Sequence, residues 1–243
     1  MDTMQDLFKG FLRFRRNVES TEQDINTRFL DYCRRQLHLS SAQFFQDLFV
    51  LHTLGDKRNG YFVEFGACDG RSGSNSLMLE QQYDWNGIVA EPGRCWHEAL
   101  KKNRHCNIDL RCVWDVSEQK LDFNEVTNPG LAGLSTVDSY TKHDGHGPLR
   151  GQGVVYSVDT ISLNDLLMFH KAPQQIDYLS IDTEGSELRI LQAFDFNRYD
   201  IKVITVEHNH TPQRQEIEAL LTGKGFRRCF ELFSAVDDWY VKD

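Results

Sequence analysis

This sequence predicts an α/β fold with a doubly wound, mixed sheet, and three observations carry the prediction. Short β-forming runs alternate with segments of helical periodicity along most of the chain. One run, Tyr61–Phe65, stops at Gly66 and leads through Gly70 and Gly73 into a helix-compatible stretch at Leu77. That strand, glycine turn and helix form the usual entry unit of such sheets. The last two runs, 225–232 and 237–241, read as an antiparallel hairpin that closes the sheet.

In chain order, residues 1–24 read as an N-terminal arm. A single domain, 25–243, follows. It opens with a helical preface, 25–55, in which Ile25, Phe29, Tyr32, Cys33 and Leu37 recur at helical spacing. A second helix, 43–54, carries Phe44, Leu48, Phe49 and Leu51 on one face and places Gln46 as a candidate substrate contact. After the first strand, the run 87–90 ends at Glu91 and Pro92, a helix is expected at 94–103, and a third strand at 107–114 precedes Asp115. Residues 116–160 break the rhythm. Strand-like pieces at 120–126, 133–137 and 154–160 flank a glycine-rich loop, which reads as an insertion that covers the substrate, with His143 and His146 near its tip. Alternation then returns with a helix at 162–170, a strand at 177–182, a helix at 187–193, a strand at 201–206 and a helix at 212–221.

The 243 residues are 40% hydrophobic and 26% charged, which suits a domain with a sizeable core. The net charge of −9 argues against a nucleic-acid partner, since the clearest basic cluster is only Lys9, Arg13, Arg15 and Arg16. No apolar run approaches the ~20 residues that span a bilayer. Acids precede arginines near the start, the reverse of a signal peptide, so a cytoplasmic location is expected. The six cysteines include no Cys-x-x-Cys pair, which fits reduced thiols rather than a zinc site.

Three strands finish in polar groups: Glu64-Phe65-Gly66, Asp182-Thr183-Glu184 and Glu207-His208-Asn209. In a doubly wound sheet these ends share one edge, where ligands bind. The glycine turn can hold an anion on its backbone amides. It lacks Gly-x-Gly-x-x-Gly and has only Arg71 nearby, so a pyrophosphate is disfavoured and a compact nucleoside bearing an amino acid is favoured. S-adenosylmethionine (SAM) fits, with its amino-acid end at Gly66, ribose at Glu91 and adenine near Asp115. Glu64, Ala67, Asp69, Ser74, Asn75, Pro92 and Asp182 complete the candidate cofactor set. His208 is the preferred base, with Asp182 and Glu184 beside it, because an ordinary imidazole titrates near neutral pH. Glu207 and Asn209 are candidate substrate contacts. A divalent ion such as Mg²⁺ on Asp182, Glu207 and His208 is a further option.

Several stretches together resemble the FkbM-type SAM-dependent methyltransferases. They are AQFFQDLFV (42–50), VEFGACDGRSGSN (63–75), WNGIVAEP (85–92), DYLSIDTEGSELRIL (177–191), ITVEHN (204–209) and DDWYV (237–241). The resemblance covers roughly 42–243, while the region 116–160 matches nothing in that pattern. It implies a Rossmann-like class I methyltransferase fold with a seven-stranded mixed sheet, the insertion preceding the fourth core strand. It also implies a hydroxyl acceptor on a small molecule, a sugar, a glycan or a natural product. Residue by residue, it assigns Glu64, Gly66 and Glu91 to the cofactor, and Asp182, Glu184 and His208 to the catalytic edge. A nicotinamide-dependent oxidoreductase would need the missing pyrophosphate fingerprint. A non-catalytic binding module would keep the fold, but the polar clusters at 182–184 and 207–209 speak against it. A homo-oligomer is left open.

Overall fold

The computed structural model describes residues 21–242 apart from Pro129, Thr141, His143 and Ser234. Most of the expected N-terminal arm and the candidate His143 therefore lie outside the described residues. The chain divides into two compact units between Ser40 and Ser41. In the first, helix α1 (Thr21–Gln36) begins ahead of Ile25 and ends in Arg34 and Arg35, charges that favour a helix C-terminus. Among the described residues no helix is long and apolar enough to cross a membrane.

The second unit holds the remaining helices, α2 (Gln46–Thr53), α3 (Leu77–Tyr83), α4 (His97–Asn103), α5 (Gly147–Arg150), α6 (Leu163–Phe169), α7 (Glu187–Ala193) and α8 (Gln213–Gly223). Its strands are β1 (Tyr61–Phe65), β2 (Asn86–Ala90), β3 (Asn107–Asp109), β4 (Cys112–Trp114), β5 (Lys120–Glu125), β6 (Thr136–Val137), β7 (Val154–Ser162), β8 (Gln175–Ile181), β9 (Asp200–Glu207), β10 (Phe226–Cys229) and β11 (Asp237–Lys242). Seven of them form one mixed sheet, as expected, in the order β10-β11-β9-β8-β1-β2-β3. Only β11 runs against its neighbours. The strand order reverses between β1 and β8, and ligands bind beyond the strand ends at such a point. The central strands are covered on both faces, hence their near-continuous apolar runs. Val63, Leu179 and Ile204 pack with Leu166, Leu191 and Leu221 of the helices, and Phe49 of α2 stacks on Trp239 at 4.7 Å.

The expected third strand, 107–114, is two strands in two sheets. The Asp109 carboxylate accepts from the Arg111 amide (3.0 Å) and from its guanidinium, which bends the chain between them. Past this bend β4 joins a second sheet, ordered β4-β7-β5-β6, and Cys112 and Trp114 enter a small core with Phe123, Val137 and Val158. The insertion is thus built rather than loose, with β5 paired along six residues of β7. Helix α2 starts at Gln46 instead of 43, because Phe45 adopts a left-handed φ of 65°.

Candidate active site

The site grows from the turn after β1. Gly66 has φ +82°, and a Cβ there would lie 1.6 Å from the Asp182 carbonyl oxygen, so only glycine lets the ends of β1 and β8 come this close. The Asp182 amide donates to Phe65 O (3.2 Å), while the Gly66 and Ala67 amides donate to Ala90 O (3.1 and 3.2 Å). Asp69 stitches the outer part of the turn by accepting from the amides of Arg71 and Ser72 (2.8 and 2.7 Å).

Beneath the turn the Glu64 carboxylate is buried but fully engaged. It accepts from Ser74 Oγ (3.0 Å), the Asn75 amide (2.8 Å), Ser76 Oγ and Arg104 Nη1 (3.2 Å). The Arg104 side chain is completely buried and also pairs with Glu80. This compensates the carboxylate and fixes residues 74–76 in place.

Glu91, at the end of β2, is buried between two backbone amides. Cys68 N reaches Oε2 at 2.9 Å and Gly93 N reaches Oε1 at 2.7 Å. Burial lifts its pKa to about 7. Beside it, Pro92, Cys112, Val113 and Val137 enclose a cavity of only about 60 Å³. It shares Gly66, Cys68, Asp182 and Glu184 with a second cavity of about 640 Å³. The larger one is lined by Glu64, Gly66, Ala67, Ser74, Asn75, Asp182, Glu184, Glu207 and Asn209, and by His146 from the insertion.

Three carboxylates converge there. One oxygen each of Asp182, Glu184 and Glu207 lies within 4.8 Å of the other two. Arg150, its side chain fully buried, reaches from α5 to Glu184 Oε2 (2.6 Å) and forks onto Asp144 (2.8 and 3.0 Å). Asn209 Nδ2 donates to the same Glu184 oxygen at 3.2 Å. Burial pushes the pKa of Asp182, Glu184 and Glu207 upward. Their mutual repulsion adds to this, and Arg150 pulls against it at Glu184.

Four sequence candidates are placed elsewhere. His208 follows the last residue of β9, so its side chain leaves on the opposite side from Glu207, as pleating requires. Its Nδ1 accepts from the His210 amide (3.0 Å), its Nε2 lies 3.7 Å from Asp238, and burial lowers its pKa to about 4. It does not line the cavity. Asp115 pairs with Arg189 (2.7 Å) away from Glu91, where Cys112 and Val113 stand instead. Gln46 is buried and donates to Asp237 (3.0 Å), while the Asp69 side chain serves only the turn. Sequence reasoning missed Arg104 and Arg150. Arg104 follows Lys101 and Lys102 and looks like one more surface cation, although the buried Glu64 required a partner somewhere. Arg150, in a breaker-rich stretch, gives no signal at all.

A profile of the Methyltransferase FkbM domain matches residues 64–232. Methyltransferase sdnD of Sordaria araneosa is 26% identical over 194 residues, covering 69% of this chain and 74% of that protein. Among solved structures, precorrin-6y C5,15-methyltransferase of Geobacter metallireducens GS-15 aligns with a TM-score of 0.41 at 9% identity, over 80% of this chain and 85% of the other. A fibrillarin/Nop5p complex aligns with a TM-score of 0.37 at 12% identity, over 83% and 80%. Those two likenesses are too loose to carry an argument. The domain profile, spanning more than half of the residues and the whole edge from Glu64 to Asn209, settles the matter: this chain belongs to the FkbM methyltransferase family.

Proposed function

We propose that this chain moves the methyl group of SAM to a hydroxyl oxygen of a small-molecule, sugar, glycan or natural-product acceptor. The observation that carries the reading is the convergence of Asp182, Glu184 and Glu207 beside the Gly66 turn, inside a cavity of about 640 Å³. A hydroxyl must lose its proton during transfer, and a carboxylate cluster supplies the potential that draws it off.

SAM use is implied by the family, and the residues present fit it. Gly66 and Ala67 line the cavity where β1 ends, and the buried Asn75 Oδ1 on the cavity wall has no hydrogen-bond partner. Gly66, Ala67 and Asn75 would hold the amino-acid end. Glu91, with lone pairs to spare after its two amides, would accept from the ribose. When bound, SAM supplies an electrophilic methyl group on a sulfonium. The chain's own part is to align the acceptor, an effect worth up to ~7–11 kcal/mol. Glu207, whose buried Oε2 accepts no hydrogen bond from the chain, would take the proton. The insertion contributes His146 and Leu149 to the acceptor side. Six free thiols and a net charge of −9 support a cytoplasmic enzyme with no nucleic-acid partner.

The test incubates the chain with methyl-labelled SAM and a panel of hydroxylated glycans and small molecules. An O-methylated product is expected, and turnover should fall roughly 10²–10⁴-fold in Glu207→Gln. Methylation confined to nitrogen or carbon would end the hydroxyl reading.

Glu91 gives this reading a pH signature. Ribose hydroxyls donate to the ionised carboxylate, so binding favours the charged form and weakens as pH falls through about 7. S-adenosylhomocysteine should therefore bind about tenfold more weakly at pH ~6 than at pH ~8. Glu91→Gln should bind weakly throughout, without that slope. Calorimetry across this range decides it, and a flat profile for the unaltered chain would remove Glu91 from the ribose site.

A further inference from the structure

Clusters of acidic groups are common, and what sets the one at the ends of β8 and β9 apart is Glu207. It is 8% exposed, its Oε2 is buried without a hydrogen-bond partner, and it faces two other carboxylates. Breaking up a buried ion pair shows the scale of the problem, since an uncompensated buried charge costs several kcal/mol. At Glu64 the chain meets that cost with Arg104. At Glu207 it does not. Among the described residues no lysine or arginine lines the cavity, and Arg150 is taken up by Asp144 and Glu184 Oε2. The balancing positive charge comes from outside the chain, either as a proton that Glu207 shares with Asp182 or as a bound cation.

We propose that Asp182, Glu184 and Glu207 bind one divalent cation of the Mg²⁺, Mn²⁺ or Ca²⁺ class. An all-oxygen donor set selects hard cations. Oxygens on opposite sides of such an ion stand about 4–5 Å apart, twice a bond of roughly 2.1–2.5 Å. The three oxygens lie within 4.8 Å of one another, so none is farther from another than two ligands on opposite sides of one ion can be. Glu184 offers its Oε1, because Arg150 and Asn209 hold Oε2. His208, named with Asp182 and Glu207 from sequence, is not a ligand, since the His210 amide occupies its Nδ1 and its Nε2 faces Asp238. The remaining coordination positions open to the cavity. There, if the methyl-transfer reading holds, the ion would acidify an acceptor hydroxyl, whose proton would pass to the Glu207 oxygen that does not hold the ion. The ion's role rests on that reading, but its binding does not.

The experiment uses the whole chain, stripped of metal and without SAM, titrated with Mn²⁺ while electron paramagnetic resonance reads the free ion. One Mn²⁺ should bind per chain, be displaced by Mg²⁺ or Ca²⁺, and raise the melting temperature. Glu207→Gln and Asp182→Asn, each checked for folding by circular dichroism, should each weaken binding by about tenfold or more. If one of them fails to fold, the other carries the comparison. His146→Ala should bind as the unaltered chain does. Absence of bound Mn²⁺, or unchanged affinity in a folded carboxylate variant, overturns the site. So does loss of binding in His146→Ala, which would move the ion to Asp144, His146 and Glu184. An ion-binding chain that methylates no hydroxyl keeps the site and loses the proposed function; a methylating chain that binds no Mn²⁺ does the reverse.

Discussion

Gly66→Ala is expected to leave little folded protein. The new methyl group would sit 1.6 Å from the Asp182 carbonyl oxygen, at a residue with φ +82°. No rotamer relieves a clash between Cβ and backbone, so β1 and β8 would have to separate where they pair as central strands of the sheet. Strain and lost packing of that kind place the change among the rare substitutions costing more than about 4–5 kcal/mol. Domains are stable by only about 5–15 kcal/mol in total. Chemical denaturation followed by circular dichroism would read the loss. An alanine variant that unfolds at the same denaturant concentration as the unaltered chain would show that the two strand ends are not held this tightly.

Arg104→Ala should have the next largest effect, for an electrostatic reason. Arg104 is the cation shared by Glu64 and Glu80, whose side chains are 5% and 8% exposed. Removing it leaves two buried carboxylates without their partner, a change that typically costs about 3–5 kcal/mol. It also frees Ser74 and Ser76, which Arg104 holds at 3.1 and 2.8 Å, and so loosens the wall of the larger cavity. A neutral replacement on both sides should recover part of the loss: Arg104→Met combined with Glu64→Gln is expected to be more stable than Arg104→Met alone. A double-mutant cycle in denaturant measures the coupling. A loss below about 1 kcal/mol for Arg104→Ala would mean that water already reaches this network.

What was legible in the sequence follows from which forces act locally. Tyr61–Phe65, Glu187–Ala193 and the closing hairpin could be read because apolar periodicity and glycine punctuation belong to the segment itself. The place of Glu91 beside that turn could be read because it closes an apolar run shortly after the glycines. The split of 107–114 could not, since it depends on the Asp109–Arg111 contact and on a second core that exists only once β5, β6 and β7 have assembled. At the end of β9 a single position decides which side chain meets the cavity. The run Glu207-His208-Asn209 offers three polar candidates, and only the place where pairing with β11 ends, at Glu207 opposite Asp237, turns Glu207 inward and His208 away. Arg104 and Arg150 were invisible for a related reason: a buried cation is identified by its distant carboxylate partners, and those are brought to it by the fold.

The second sheet is fastened to the main one at two successive residues. Thr136 Oγ1 donates to the carbonyls of Thr183 (3.2 Å) and Glu184 (3.1 Å), and Arg150 grips the Glu184 side chain. Val137, next to Thr136, walls the narrow cavity beside Glu91. A ligand that widened that compartment would pull on the same short turn that aims Glu184 at the other one. Two ligands that share such a joint are energetically linked, and by reciprocity each changes the other's affinity by the same factor. The Thr136–Arg150 fastening is thus the part of the fold through which a ligand in one compartment would change the affinity of the other.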